Sequence, residues 1–275
     1  MFTNSSTAAL STSSPAISVV LPTYNAASSI RAAIESVLMQ SDVDFELIIV
    51  NDGSTDETAS VLESYHDSRI IILTQENLGL ITALRVGVER SHGRYIARID
   101  ADDQWIDSKK LQAQCRYLDE HKECVVVGTS FTVHSPDGKT TTVTPPTEDD
   151  AIRRTFLLSA TIAHPSVMFR KEVYELVGGY GSRSGRHIED IDLWVRMGLH
   201  GTFHILPLVG LAYYLSPTSI SSAHSAAQAR NTVRLIVRFW SQREKYPTFP
   251  SALKKYLREA VLRTGFQWKK QLWPS

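Results

Sequence analysis

Four short runs rich in β-branched and apolar residues, Ile17–Leu21, Phe45–Val50, Ile70–Leu73 and Tyr95–Ile99, recur early in the chain with a helical pattern between successive runs. After the first, Ile30, Ala33, Ile34, Val37 and Leu38 repeat at the spacing that gathers apolar side chains on one helix face. Strands alternating with helices at this pitch require right-handed crossovers and lead to a mainly parallel sheet, an α/β fold. Within that frame Pro22 is expected to stop the first strand and Ser28 or Ser29 to cap the following helix. Asn51-Asp52-Gly53-Ser54-Thr55-Asp56 reads as a turn into a helix over 57–65 capped by Asp56, and Leu80–Arg90 as the next helix.

The fourth run ends in Asp100-Ala101-Asp102-Asp103, three carboxylates within four residues. Ligand sites in open α/β sheets form beyond the carboxyl ends of the strands, where these acids stand. Crowded like charges call for a shared cation, and hard oxygen donors suit Mg²⁺ or Mn²⁺, which are commonly held together with substrate phosphates. The plainer reading is that Asp102 and Asp103 cap a helix starting near Asp107-Ser108. Asn51-Asp52 ends another strand on the same edge, and Pro22-Thr23-Tyr24-Asn25 adds a rigid turn with an aromatic face. A nucleotide could use all three: base against Tyr24, base or ribose to Asp52, metal-bound diphosphate at Asp102. Arg98 shares a strand face with Asp100 and can offset the acids or touch phosphate.

The middle of the chain is less regular. Lys109–His121 reads as a surface helix and Val125–Gly128 as a core strand, with a hairpin around Ser135-Pro136-Asp137-Gly138. Thr147 with Asp150 forms an imperfect capping box for a helix over Ala151–Leu158. Ser166–Phe169 is expected as a strand, and Lys171–Val177 as a short helix closed by Gly178-Gly179. Glu189 and Asp190 then open a helix containing Ile191, Trp194 and Val195. Acids belong at a helix start, so they are either dipole partners or, for Asp190, a proton acceptor facing a substrate.

Hydrophobic content of 43% and charged content of 21% are those of an ordinary globular protein. The formal net charge of zero conceals a basic end, since Arg230–Ser275 holds 11 Lys/Arg against 2 Asp/Glu. Its helical stretches place Trp and Phe beside cations, which suits contact with an anionic membrane face, or else a helical pair packed on the body. Nucleic acid is not expected, because no basic recognition motif accompanies the charge. Cys115 and Cys124 lack metal spacing and read as reduced core thiols, pointing to a cytoplasmic setting. Residues 1–16 read as a disordered lead-in, and no 18-residue apolar run is present.

Five ordered segments carry a family resemblance: Val19–Asn25, Val50–Asp56, Asn77-Leu78-Gly79 through Asp103, His164-Pro165-Ser166-Val167-Met168-Phe169-Arg170, and Glu189-Asp190-Ile191-Asp192-Leu193-Trp194. In order and spacing they resemble the family 2 glycosyltransferases of the GT-A fold, over roughly residues 17–221. The resemblance implies a Rossmann-like three-layer sandwich over 17–225, followed by a basic helical extension, 226–275. It implies inverting transfer of a sugar from a nucleotide diphosphate donor, a UDP-sugar first, to a saccharide or lipid-linked acceptor in cell-surface polysaccharide or glycolipid synthesis, assisted by Mn²⁺ or Mg²⁺. By that similarity Pro22, Tyr24, Asn25, Asp52, Arg98 and Asp100 serve the nucleotide, Asp102 the metal, and Asp190 the acceptor proton. Glu189 is a pocket candidate, and His164 is either a pocket residue or a hydrogen-bonded histidine at a strand start. Two departures stand out: Tyr213-Tyr214-Leu215-Ser216 replaces a late Tyr-Arg-X-His, with His224 a weak substitute, and Arg85 replaces a frequent Asn. A nucleotidyltransferase is the enzyme alternative, although no glycine-rich basic loop follows the first strand. A non-catalytic sugar-nucleotide-binding protein of the same fold is the other.

Overall fold

The computed structural model describes residues 15–159, 161–181, 185–215 and 225–272. Its first half alternates as the apolar pattern predicts: β1 (Ile17–Thr23), α1 (Ile30–Leu38), β2 (Phe45–Asp52), α2 (Thr58–Glu63), β3 (Ile70–Gln75), α3 (Leu80–Glu89) and β4 (Tyr95–Arg98). Then follow β5 (Gln104–Trp105), α4 (Lys110–Glu120), β6 (Cys124–His134), β7 (Thr140–Val143), α5 (Asp149–Thr155), β8 (Met168–Arg170), α6 (Lys171–Leu176), α7 (Glu189–Met197) and β9 (Thr202–Tyr214). Helices α8 (Ser225–Arg238) and α9 (Phe249–Leu272) close the described chain.

The strands form one sheet in the order β3-β2-β1-β4-β8-β6-β9-β5, with β7 paired to β6. Neighbours among β3, β2, β1 and β4 are parallel, while β8 runs antiparallel to both β4 and β6. Strands β1 and β2 of the parallel half are buried on both faces, which is why they read as continuous apolar runs, whereas β3 at the edge is half-buried to exposed along its length. One core cluster lies under α1 and α4, around Leu21, Ile34 and Leu118, and a second under α7 and α8, around Phe169, Trp194 and Leu235.

Several local expectations are corrected. Strand β1 continues through Pro22 to Thr23, because β1–β4 pairing has already ended at Val20↔Arg98 and a proline, which has no N–H to donate, costs no ladder bond on that side. Ser29 stands at the start of α1 without a side-chain cap, and the turn ahead of it is tied to the 56–58 segment, where Thr58 Oγ1 accepts the Ala26 N–H (2.8 Å) and Asp56 that of Ala27 (3.1 Å). Asp56 also accepts the Thr58 N–H at 3.0 Å, but it stands one residue before the N-cap of α2, which is Glu57 and has no side-chain cap. Thr147 caps nothing in α5, whose Asp149 pairs with Arg153 and accepts the Phe203 N–H. The strand expected over 166–169 starts at Met168, after a 3-10 turn over His164–Ser166 with Pro165 inside it. The strand expected at 125–128 is the start of a longer one, β6, which runs to His134 and is irregular in register around Thr129–Phe131.

The basic extension packs on the body. Leu235 and Ile236 of α8, Tyr246, and Phe249 and Ala252 of α9 share a cluster with Trp194, Val195 and Phe203. Residues 1–14, the first part of the expected lead-in, lie outside the described residues, as do Ser216 and His224. No described helix is long and apolar enough to cross a membrane.

Candidate active site

The carboxyl ends of β1, β2 and β4 lie side by side, so the three turns singled out in the sequence share one edge. Tyr24 is 48% exposed there. Asn25, in a left-handed conformation (φ 50°), accepts the Thr55 N–H at 2.8 Å and donates its own N–H to Ser54 Oγ at 3.0 Å, tying the first turn to the second. The second turn is held close by Gly53 (φ 72°), where a Cβ would come within 2.6 Å of the Asn77 nitrogen. Asp52, assigned by resemblance to the base, is buried and accepts three hydrogen bonds: Gln75 Nε2 at 2.6 Å, Leu78 N–H at 2.9 Å and Gly79 N–H at 2.8 Å. A carboxylate has about four acceptor positions, so roughly one remains for a ligand donor. Gln75 in this set was not anticipated.

Beyond β4 the oxygens of Asp100, Asp102 and Asp103 all lie within 4.8 Å of one another. Arg98 is buried and donates both terminal nitrogens to Asp100, while its Nε meets no acceptor among the described residues. Asp103 does not cap α4, whose start is served by Asp107 and Gln40. It is 1% exposed, with Oδ1 accepting the Tyr214 N–H at 3.1 Å and Oδ2 without a partner. Burial, then Asp100 and Asp102, push its carboxyl well above the usual range. The exposed Asp102 is raised as well, by partial desolvation and Asp100. Two raised carboxyls and an orphaned buried oxygen within one oxygen-only cluster fit a hard divalent cation, which would relieve all three conditions at once.

Helix α7 presents Glu189 and Asp190 in its first turn. Both carboxyls are raised, chiefly by desolvation, with Arg98 lowering and Asp100 raising each of them. Asp190 keeps part of its surface open to solvent although protein surrounds it at longer range, and its Oδ1 accepts the Ile191 N–H at 2.8 Å. Arg98 and Asp100 therefore act on both acidic clusters. His164 is buried, its Nε2 2.7 Å from the Tyr180 hydroxyl and its ring edge-on to Trp194. Burial and then Arg98 hold this imidazole far below its ordinary pKa, so it is neutral, and Tyr180 in turn senses Arg98, Asp190 and Glu189.

Tyr180 and Tyr213 lie close enough to the acidic groups to feel their charge, which the sequence reading missed. Tyr213, pushed up to about 12 by burial and the three aspartates, belongs to the segment noted only as a departure. Tyr214 next to it stacks on His134 with ring centroids 4.8 Å apart. Arg85 is exposed and pairs with Glu89 at 3.5 Å.

The sequence profile of the family "Glycosyl transferase family 2" matches residues 18–178, more than half of the chain. The chain belongs to that family. Among curated relatives, a putative glycosyltransferase EpsE of Bacillus subtilis is 33% identical over 190 residues, 67% of each chain. A putative teichuronic acid biosynthesis glycosyltransferase, TuaG, of the same organism is 39% identical over 127 residues, covering 45% of this chain and 50% of TuaG. The crystal structure of S. aureus TarS 1-349 in complex with UDP-GlcNAc superposes with a TM-score of 0.69 at 17% identity, over 89% of this chain and 72% of that one. A Pyrobaculum calidifontis mannosyltransferase in complex with GDP-Man and Mn²⁺ gives 0.63 at 18%, over 94% and 81%. At these identities the structures establish the fold, which is GT-A, and the family makes the chain a glycosyltransferase.

Proposed function

We propose that this family 2 enzyme transfers a sugar, with inversion, from a UDP-sugar or related nucleotide diphosphate donor to a hydroxyl of a saccharide or lipid-linked acceptor in cell-surface polysaccharide or glycolipid synthesis. The observation that carries the reading is Arg98: one buried guanidinium and its partner Asp100 act on the oxygen cluster beside the donor edge and on the Glu189–Asp190 pair of α7. A donor and an acceptor bound to the two groups would meet between them, and holding reactants in line is itself a large part of the rate.

Asp102, with Asp103 behind it, would hold Mn²⁺ or Mg²⁺, which when bound stabilises charge developing on the leaving diphosphate. Asp190 takes the proton of the attacking hydroxyl. Its raised carboxyl suits that task, because a base titrating nearer the working pH accepts a proton more readily, and such catalysis is typically worth about 10²–10⁴-fold. Asp52 spends its remaining acceptor position on the base or ribose, and Tyr24, Pro22 and Asn25 form the wall beside it. Neutral His164, bonded to Tyr180, lines the pocket floor without adding charge. Family membership leaves the nucleotidyl-transfer alternative without support.

Transfer at the cytoplasmic membrane face is part of the proposal. Arg230, Arg234, Val237 and Trp240 form an outward, exposed stripe around α8, opposite the buried Ala229, Leu235 and Ile236. Cations beside exposed apolar side chains match an anionic bilayer.

The test is release of nucleoside diphosphate from a panel of nucleotide sugars with Mn²⁺ and a saccharide acceptor. Metal-dependent release by the wild type, lost in Asp102→Ala and in Asp190→Asn, is the expected result. Release that persists undiminished in both variants overturns the reading.

A further inference from the structure

We propose that helix α8 completes the acceptor side of this site, with Asn231 as a positioning residue that fixes the loop carrying Glu189 and Asp190. The inference rests on the assignment of Asp190 as proton acceptor. Residues 185–188 lead into α7 through two left-handed positions, Gly185 (φ 114°) and His187 (φ 67°). A non-glycine residue in that region persists only where its surroundings dictate it.

Here the surroundings include α8. Asn231 is buried, donates Nδ2–H to the Arg186 carbonyl at 2.8 Å, and accepts from Arg234 Nη1 at 3.0 Å. The loop backbone lies directly on this amide: a Cβ added to Gly185 would fall 2.2 Å from Asn231 Cγ. A second tie follows one turn into α7, where Arg238 Nη1 stands 3.8 Å from Asp192 Oδ1 and Arg196 pairs with the same carboxylate. Leu235 and Ile236 of α8 share a core cluster with Ile188, Leu193 and Trp194, so the helix and the loop are one packed unit. The family match ends at residue 178, upstream of both partners. A base must stand within hydrogen-bond reach of the acceptor hydroxyl, so small displacements of the loop are transmitted to the rate.

The test uses the full chain and Asn231→Asp, which keeps the shape and the acceptor for Arg234 but has no hydrogen to give the Arg186 carbonyl. Hydrogen–deuterium exchange of the amides in 185–192 is expected to quicken roughly fivefold, the fold-change of one lost hydrogen bond, with global melting unchanged. Unaltered exchange overturns the proposal, whether or not the protein transfers sugar. With donor and acceptor, kcat should fall on the order of tenfold or more while the donor KM stays put. Leu235→Ala, which loosens the same helix through its apolar face, serves as control, and an equal kcat loss there would reduce the Asn231 effect to packing and overturn the positioning role. A wild type that releases no nucleoside diphosphate refutes the proposed function, and exchange still decides whether Asn231 holds the loop.

Discussion

Arg98 grips Asp100 with both terminal guanidinium nitrogens while its Nε meets no acceptor among the described residues, and this buried cation acts electrostatically on Asp102 and Asp103 as well as on Glu189 and Asp190. Its charge is balanced by acids that are themselves crowded, so neither partner is dispensable. Arg98→Leu should lose about 3 kcal/mol of stability at neutral pH, the usual cost of stranding one member of a buried pair, and less in mild acid where carboxyls protonate. Arg98→Lys, which keeps charge without the fork, should fall between. Urea melts at the two pH values measure this, and equal losses at both would contradict the electrostatic account.

Glu189 carries a pH signature of its own. Its folded pKa lies above the ordinary 4.5, chiefly through desolvation and then Asp190. The folded state therefore holds the proton more tightly than the unfolded chain. Stability from this group is full below the ordinary value and is lost as pH rises through the raised one, at about 1.4 kcal/mol per unit of displacement. Glu189→Gln should accordingly be more stable than wild type near neutrality and equal to it in acid. Thermal melts across that window decide the matter, and a variant less stable at neutral pH refutes it.

Asp52 ties β2 to the start of α3 as well as facing the nucleotide edge. Asp52→Ala leaves the Leu78 and Gly79 N–H groups and Gln75 without an acceptor, so about 2 kcal/mol of stability should go along with a higher donor KM. A KM change at constant stability would mean that the turn does not depend on this carboxylate.

The parallel half of the fold could be read from the sequence because β1 and β2 are covered on both faces and show as apolar runs, with the edge strand β3 keeping its isoleucines although it is only half-buried. The acidic edge was legible for a related reason: Asp100, Asp102 and Asp103 follow a strand that has to end there. Capping was read less well. Ser29 and Thr147 had the right chemistry, but neither helix has a side-chain cap, and the nearby turns are tied instead to distant partners such as Thr58, Asp56 and Phe203 that local sequence does not reveal. Tyr180 and Tyr213 were missed for the same reason, since an aromatic residue reads alike whether or not distant acids come to lie near it.

The oxygen cluster predicts a metal-linked stability. Mn²⁺ binding to the folded state alone should raise the melting temperature of the wild type in proportion to the logarithm of its concentration, once above its Kd. Asp102→Ala should abolish that rise, and chelation should remove nucleoside diphosphate release. Asp103→Asn retains an oxygen toward the Tyr214 N–H and should weaken the effect without eliminating it. A melting shift unchanged in Asp102→Ala would move the cation elsewhere.

The outward stripe of α8 predicts a membrane preference that depends on lipid charge and on salt. Residues 226–260 hold eight Lys/Arg against two Glu, and Val237 and Trp240 stand exposed among them at 61% and 37%. Each cation near an anionic surface contributes about 1 kcal/mol, screened over roughly 10 Å at 0.1 M salt. The full chain should therefore sediment with vesicles containing phosphatidylglycerol and stay in solution with pure phosphatidylcholine. Arg230→Glu with Arg234→Glu should cut binding roughly twentyfold or more, on the same charge arithmetic. Trp240→Ala should weaken it while leaving the salt dependence intact, because its ring adds apolar contact and no charge. Binding that survives both changes would assign the contact to another surface, and equal binding to neutral vesicles would rule out the charge pattern as its cause.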